Sequence, residues 1–174
     1  MQATIATIIL AAGSGSRMKS SLPKVLHLIG AKPMLWHVVR LAEKISPLKP
    51  VVVISAKMPY AQLTNAYTEC SFAIQEKQLG TADAVKAAMP NLSSSDLVAI
   101  LYGDTPLVEQ TTITRAAEAL MQNSNAALCL ISFHETFPNQ YARIVAEGNV
   151  VLSLAEYKDA TDEQRSITLC NSGI

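Results

Sequence analysis

Short apolar segments alternate with amphipathic segments along most of the chain, and this alternation limits the folds that the chain can adopt. The pattern predicts strands at residues 5–10, 51–55, 71–75, 97–102 and 126–133, and helices at residues 33–45, 60–67, 81–89 and 112–122. Near the end, residues 143–146 and 150–154 flank a Glu-Gly-Asn turn and predict a hairpin. Strands that alternate with helices at this spacing form right-handed βαβ units. We therefore expect an α/β, Rossmann-like fold with a mixed, mostly parallel sheet and helices on both faces.

The composition predicts a single domain over residues 1–174. Of the 174 residues, 49% are hydrophobic and 16% are charged, which allows a sizeable core. The 14 basic and 14 acidic residues give a net charge of zero, so nothing favours nucleic acid or a membrane surface as a partner. No apolar run approaches the ~18 residues of a membrane-spanning helix. The three cysteines lack metal-ligand spacing, which indicates reduced thiols in a cytoplasmic protein.

A loop of small residues follows the first predicted strand. Residues 10–18 have the sequence LAAGSGSRM, and Lys24 follows a few residues later. Small residues let successive backbone N–H groups converge on phosphate oxygens, and Arg17 and Lys24 would neutralise the phosphate charge. The loop lacks the Gly-Lys-Ser/Thr ending of a Walker loop, and Met18 stands where a dinucleotide fingerprint has its third glycine. A plain tight turn is the alternative, and the two cations favour a phosphate site.

Asp104 directly follows the predicted strand 97–102. In open α/β sheets, ligands bind outside the carboxyl ends of the strands. We therefore expect Gly13, Gln75 and Asp104 to lie along one edge of the sheet. A carboxylate placed there can hold Mg²⁺, which usually needs one or two protein carboxylates together with substrate phosphates. The alternative for Asp104 is an ordinary turn aspartate in Gly-Asp-Thr-Pro.

Five segments together resemble one enzyme family. They are residues 10–18 (LAAGSGSRM), 22–27 (LPKVLH), 78–82 (QLGTA), 101–107 (LYGDTPL) and 156–165 (EYKDATDEQR). Over residues 5–174 the chain resembles the pyrophosphorylase domain of the bacterial bifunctional N-acetylglucosamine-1-phosphate uridyltransferases. The resemblance implies a nucleotide-diphospho-sugar transferase fold and Mg²⁺ as cofactor. It also implies that UTP and N-acetylglucosamine 1-phosphate react to UDP-N-acetylglucosamine and pyrophosphate, which supplies peptidoglycan and lipopolysaccharide synthesis.

The resemblance further implies roles for individual residues. Arg17 and Lys24 would be catalytic, stabilising charge on the phosphates, and Asp104 would hold Mg²⁺. The substrate contacts would be Leu10, Ala11, Ala12, Gly13, Lys24, Gln75, Gly80, Thr81, Tyr102, Gly103, Asp104, Ala142, Glu156 and Asn171. Within this set, Gln75 with Gly80 and Thr81 would read the uracil, and Glu156 with Asn171 would bind the sugar. The alternatives are a solvated strand end for Gln75 and a helix cap for Thr81.

Some parts of the chain depart from the family or carry no role. Ala142 stands where the family has a glycine, and its methyl group disfavours positive φ and a close approach of the sugar. Residues 158–165 are expected to form a charged loop without chemistry. The family continues beyond residue 174 with an asparagine that is a second metal ligand and with a β-helix acetyltransferase domain. We therefore expect a chain that lacks the C-terminal elements of its domain.

Two alternative functions follow from these observations. One is a catalytically incomplete remnant that binds sugar nucleotides without turnover. The other is a transferase of different base specificity, cytidylyl or guanylyl, that uses the same loop. The sequence leaves the oligomeric state open.

Overall fold

The computed structural model describes residues 3–13, 15, 18–136, 138–148 and 150–174. The chain divides into two compact units, Met1–Ala117 and Glu118–Ile174. In the described residues, no helix combines the length and apolar character needed to cross a membrane.

The first unit contains a parallel sheet and a short separate hairpin. Its strands are β1 (Ile5–Leu10), β2 (Leu28–Ile29), β3 (Lys32–Pro33), β4 (Val51–Ser55), β5 (Ser71–Gln75) and β6 (Leu97–Tyr102). Its helices are α1 (Met34–Ile45), α2 (Tyr60–Ala66), α3 (Thr81–Ala88) and α4 (Gln110–Gln122), whose last residues belong to the second unit. The four predicted parallel strands have their predicted bounds, and the helix ends differ from the predictions by one or two residues.

The strand order of the parallel sheet is β5-β4-β1-β6. The chain moves from β1 outward through β4 to β5 and then returns across the sheet to β6. Because such crossovers are right-handed, α1 and α2 lie on one face of the sheet and α3 on the other. The direction of winding reverses between β1 and β6, and a crevice opens at such a switch point. The predicted Rossmann-like topology is confirmed in this unit.

The core of the first unit is the pair of central strands with a helix on each face. Ile8, Ile9 and the residues Val51–Ile54 are fully buried, as expected for a strand covered on both faces. On one face, α3 packs with Ala84 and Ala88, whose small side chains let the helix lie close to the sheet. On the other, α1 buries the predicted apolar face, namely Leu35, Val38, Val39 and Ala42. This packing fixes the strand ends that carry the site.

The second unit is a four-stranded antiparallel sheet of order β7-β10-β8-β9. Its elements are β7 (Ser132–His134), β8 (Arg143–Glu147), β9 (Val150–Ala155), α5 (Asp162–Ser166) and β10 (Leu169–Asn171). The predicted hairpin of β8 and β9 is confirmed, although Asn149 of its turn lies outside the described residues. The prediction of a strand at 126–133 that continues the parallel pattern is wrong. Only Ser132–His134 forms a strand there, because its partner β10 has just three residues and runs antiparallel to it.

The prediction that residues 158–165 are mostly a charged loop holds for 158–161 and is wrong for 162–165. Residues Asp162–Ser166 form α5, and Thr161 is its N-cap. The Gln164 backbone N–H donates to Thr161 Oγ1 at 3.2 Å, and the Thr161 N–H donates to Gln164 Oε1 at 3.0 Å. This reciprocal pair is a capping box, which satisfies two backbone groups at the start of the helix. The Thr-x-x-Gln spacing was therefore a readable signal for this helix.

Candidate functional site

The loops at the carboxyl ends of the parallel strands enclose a cavity of about 750 Å³. It lies at the switch point between β1 and β6, where Leu10 pairs with Tyr102 and the two strand ends lie side by side. Ten of the predicted residues line it: Leu10, Ala11, Ala12, Gly13, Lys24, Gln75, Gly80, Thr81, Tyr102 and Asp104. The strand order thus brings together residues from distant parts of the sequence.

Gly103 lies behind the wall of this cavity. It is buried, and its N–H donates to Leu10 O at 2.9 Å. A Cβ atom at this position would lie 3.2 Å from both Leu10 O and Val25 Cγ1. A side chain would therefore push the ends of β1 and β6 apart. Gly103 sets the close spacing of the two loops.

Lys24 and Asp104 form an ion pair at the cavity. Lys24 Nζ donates to Asp104 Oδ2 at 2.5 Å, and the two side chains are 39% and 26% exposed. A pair this accessible to water contributes little to stability. Each group is therefore free to exchange its partner for a charged ligand, an anion for Lys24 and a cation for Asp104. The sequence predicted both residues separately but did not predict that they pair.

The donor set at Asp104 fits the requirements of Mg²⁺. The described residues contain no group of three or more His, Cys, Asp or Glu side chains that could enclose a metal. Asp104 is a single, partly exposed carboxylate beside a cavity with room for phosphates. Mg²⁺ usually binds in this way, through one or two carboxylates, waters and substrate phosphates. The residues present are therefore compatible with Mg²⁺ brought in together with a phosphorylated ligand.

Gln75 ends β5 inside the cavity wall. It is only 5% exposed, so the alternative of a solvated strand end is wrong. Its Nε2 donates to Gly80 O at 3.1 Å and to Asp83 Oδ2 at 2.8 Å. Both hydrogens of the amide are thereby used. Within the described residues its Oε1 accepts no hydrogen bond, and Gln75 lines the cavity, so this oxygen is the atom of the side chain that can meet a ligand.

Other side chains hold the cavity loops against one another. Gln78 Nε2 donates to Ala12 O, which ties the loop after β5 to the loop after β1. Thr81 Oγ1 lies 3.2 Å from Tyr102 Oη. The N-cap of α3 is Gly80, so the alternative that Thr81 caps this helix is wrong.

The cavity lining also contains residues that sequence reasoning did not assign. They are Gly15, Met18, Val25, Gln78 and Ala84. Gly15 has φ +58°, and a Cβ there would lie 2.7 Å from Lys24 Cβ, so glycine is required where the loop passes Lys24. Gln78 lies within the QLGTA segment at residues 78–82, one of the five that resemble the family, so the sequence contained a signal for it. Met18 and Val25 follow the two predicted cations in the sequence. No sequence signal marks them, and only the path of the loop brings them to the cavity.

Arg17, predicted as catalytic, lies outside the described residues. The remaining predicted residues, Ala142, Glu156 and Asn171, lie in the second unit and lie close together there. Arg143 pairs with Cys170 on one side and with Ala155 on the other. One position further along, Ala142 therefore lies between Asn171 and Glu156, and the Asn171 N–H donates to Ala142 O at 2.9 Å.

The alanine at position 142 does not strain the backbone. Among the described non-glycine residues, Lys19 and Ala31 have positive φ, and Ala142 does not. Of the two expected effects of the alanine on sugar binding, only the space that its methyl group occupies therefore remains.

Arg143, the residue after Ala142, carries a buried guanidinium. Arg143 is 1% exposed, and its Nη1 donates to Asn139 Oδ1 at 2.8 Å and to Tyr141 O. Its Nε donates to Arg165 O at 3.3 Å, and its Cζ lies 5.6 Å from the centre of the Tyr157 ring. Oxygen acceptors and an aromatic face replace the water that the charge loses on burial.

The family of the chain follows from comparison with known proteins. Residues 7–168 match the MobA-like NTP transferase domain. The chain belongs to the MobA-like NTP transferase family. This NTP transferase domain is 42% identical over 175 residues to the bifunctional protein GlmU of Sphingopyxis alaskensis, covering 100% of this chain and 39% of that protein. The chain thus spans about two fifths of the length of this relative.

Solved structures show the same fold for this NTP transferase domain. A CMP:2-keto-3-deoxy-manno-octonic acid synthetase complexed with CTP superposes with a TM-score of 0.71 at 16% identity, covering 98% of this chain and 72% of that chain. A UDP-glucose pyrophosphorylase complexed with UDP-glucose superposes with a TM-score of 0.62 at 17% identity, covering 97% of this chain and 74% of that chain. The predicted nucleotide-diphospho-sugar transferase fold is confirmed.

Proposed function

We propose that the chain is a uridylyltransferase that joins UTP and N-acetylglucosamine 1-phosphate to give UDP-N-acetylglucosamine and pyrophosphate, with Mg²⁺ as cofactor. One observation carries the proposal: a single cavity is lined both by Gln75, whose carboxamide oxygen accepts no hydrogen bond from the described residues, and by the Lys24–Asp104 pair. The first group suits a uracil base and the second suits a metal-bound triphosphate. The 42% identity to a bifunctional GlmU protein and the five sequence motifs support the same assignment.

The proposed reaction needs no protein nucleophile. A phosphate oxygen of the sugar phosphate attacks the α-phosphorus of UTP in line. The bond from that phosphorus to the β-phosphate oxygen breaks, and pyrophosphate leaves. Catalysis then consists of positioning the two substrates and stabilising the charge that develops on the phosphates. The small loop residues, Lys24 and Asp104 suit these tasks.

At the nucleotide, several lining residues have a definite task in this proposal. Gln75 Oε1 accepts the N3–H of uracil, and the backbone of Leu10–Gly13 faces the ribose and phosphates. The Lys24 ammonium leaves Asp104 for the triphosphate, where it offsets negative charge. Asp104 is then free to hold Mg²⁺, which when bound neutralises further charge on the phosphates. By resemblance, Arg17 assists Lys24.

At the sugar, we assign binding to the row formed by Ala142, Glu156 and Asn171. A carboxylate and a carboxamide side by side can accept and donate hydrogen bonds to neighbouring hydroxyl and N-acetyl groups. The absence of positive φ at Ala142 supports a row that keeps its backbone geometry despite the alanine.

The proposal is tested by measuring Mg²⁺-dependent pyrophosphate release from UTP and N-acetylglucosamine 1-phosphate. We expect activity in the unmodified chain and a loss of about 100-fold or more in Lys24→Met and in Asp104→Asn, because the first removes a positive charge that offsets the triphosphate and the second weakens the Mg²⁺ site. Lys57→Met is the matched control, since Lys57 is an exposed lysine outside the cavity lining, and it should leave the rate unchanged.

Three results would contradict parts of the proposal. A folded chain that binds UDP-N-acetylglucosamine without turnover would be a binding protein. Turnover with CTP or GTP in preference to UTP would give a transferase of different base specificity. Equal rates for Lys24→Met and Lys57→Met would show that the Lys24–Asp104 ion pair has no role in the mechanism.

A further inference from the structure

Asp83, in the first turn of α3, makes a contact that the proposed reaction does not explain. Its Oδ2 accepts a hydrogen bond from Gln75 Nε2 at 2.8 Å. An acidic residue in this position is usually accounted for by the partial positive charge of the helix N-terminus. Here the carboxylate also reaches to the end of a neighbouring strand. We propose that Asp83 is a positioning residue that determines base specificity, because it holds the Gln75 carboxamide with its oxygen free for the base.

The two acceptors around Gln75 fix the orientation of its amide. Gly80 O, which also accepts from the Ala84 N–H at 3.2 Å, takes one hydrogen of Gln75 Nε2, and Asp83 Oδ2 takes the other. Turning the amide over would place Gln75 Oε1 against two oxygens and break both hydrogen bonds. Because Gln75 is 5% exposed, water has little access to replace them.

A fixed acceptor discriminates between the two common pyrimidines. Uracil carries a hydrogen on N3 and donates from it, whereas the N3 of cytosine is an acceptor. Gln75 Oε1 therefore binds uracil and repels cytosine at the same position. Sites that pair a buried polar group with a ligand reject analogues that leave the group unpaired. This inference rests on the proposed uridine nucleotide substrate.

Asp83 contributes what Gly80 alone cannot. An ionised carboxylate is purely an acceptor, so it never stabilises the reversed amide. With Gly80 as the sole remaining acceptor, reversal costs one hydrogen bond instead of two. The amide nitrogen would then face the base in part of the molecules and would accommodate cytosine.

The test is calorimetric titration of UTP and CTP, each with Mg²⁺, into the full chain and into Asp83→Ala and Asp83→Asn. We expect the unmodified chain to bind UTP more tightly than CTP. Asp83→Ala should reduce the ratio of the two dissociation constants by about tenfold, because one hydrogen bond to a charged acceptor is lost. Asp83→Asn should reduce the ratio to a similar extent, because its NH₂ group can donate to the reversed amide, which an ionised carboxylate cannot do. Circular dichroism verifies that both variants are folded.

Each other outcome has a distinct meaning. An unchanged ratio in folded Asp83→Ala would reduce Asp83 to a helix-stabilising residue and overturn the inference. A ratio in folded Asp83→Asn that equals the ratio of the unmodified chain would show that the acceptor-only character of the carboxylate does not matter, which also overturns it. If the unmodified chain binds UTP and CTP equally tightly, the inference is overturned as well. If the unmodified chain prefers UTP but releases no pyrophosphate, the proposed reaction is refuted. The ratios of the UTP and CTP dissociation constants in the variants then still decide the role of Asp83.

Discussion

Arg143 is the largest side chain that is fully buried in the described residues. No carboxylate of the described residues lies within ion-pair distance of it, so its charge is balanced by oxygen acceptors and by the Tyr157 ring. Arg165 approaches the same ring, with its Cζ 5.1 Å from the centre, but it is more exposed and pairs with Asp162. The two arginines therefore make similar contacts at very different burial.

We expect Arg143→Met to destabilise the chain by about 3 kcal/mol, because the oxygens of Asn139, Tyr141 and Arg165 lose a charged donor. Arg165→Met should cost below about 1 kcal/mol, as an accessible ion pair contributes little. Urea unfolding followed by circular dichroism gives both values. Similar losses for the two variants would mean that the hydrogen bonds to Asn139 and Tyr141 contribute nothing beyond the aromatic contact.

The cysteines are free thiols in the structure. Burial, with the nearby carboxylates of Glu69 and Glu43, raises the pKa of Cys70 to about 12, and Lys49 offsets only part of this. At neutral pH Cys70 is therefore a protonated, unreactive packing residue.

At the scale of elements, the two strands that flank the cavity are tied at their opposite ends as well. Asp96, just before β6, accepts hydrogen bonds from the backbone N–H and the hydroxyl of Thr4, just before β1, both at 2.8 Å. These two bonds lower the pKa of the Asp96 carboxyl. The contact helps to set the register that brings Leu10 beside Tyr102 at the cavity.

This clamp predicts a pH dependence of stability. Because the pKa of Asp96 is lower in the folded than in the unfolded chain, ionised Asp96 stabilises the fold above the unfolded value of about 4. That contribution is lost as the pH falls through the lowered folded value. We expect Asp96→Asn to reduce the urea midpoint at pH 7 and to approach the unmodified chain at pH 3. A difference that stays constant between pH 7 and pH 3 would contradict the role of the charge.

At the scale of the whole molecule, two features favour self-association. The net charge is zero and the isoelectric point is about 6.8, so molecules repel one another weakly near neutral pH. In the described residues β9 pairs with β8 alone, and Val150, Val151, Leu152 and Leu154 of this edge strand are exposed. An uncharged apolar edge is a template for pairing with another chain.

We expect Leu152→Lys to reduce concentration-dependent association near pH 7, because a charge on an edge strand opposes pairing. Leu128→Lys is the matched control, since Leu128 is 66% exposed, against 60% for Leu152, and lies outside any strand. Light scattering over a concentration series measures the effect. If both substitutions act equally, added charge rather than the strand edge is responsible.

Much of the first unit could be predicted because its signals are local. The apolar runs of β1, β4, β5 and β6 have lengths typical of buried strands, and their bounds follow from composition alone. The second unit was harder to predict, because β7 and β10 are strands of three residues whose existence depends on each other. A short segment without alternation becomes a strand only when a partner presents its hydrogen-bonding edge.

The sequence by itself determined the α/β class, the loop of small residues after β1 and the residue types available for the site. These properties depend on neighbours along the chain, and periodicity and turn chemistry report them directly. The tertiary structure decided which groups meet: Lys24 with Asp104, Asp83 with Gln75, and Ala142 between Asn171 and Glu156. Such contacts depend on strand order, register and burial, which are set by packing between distant segments and are not encoded at any single position.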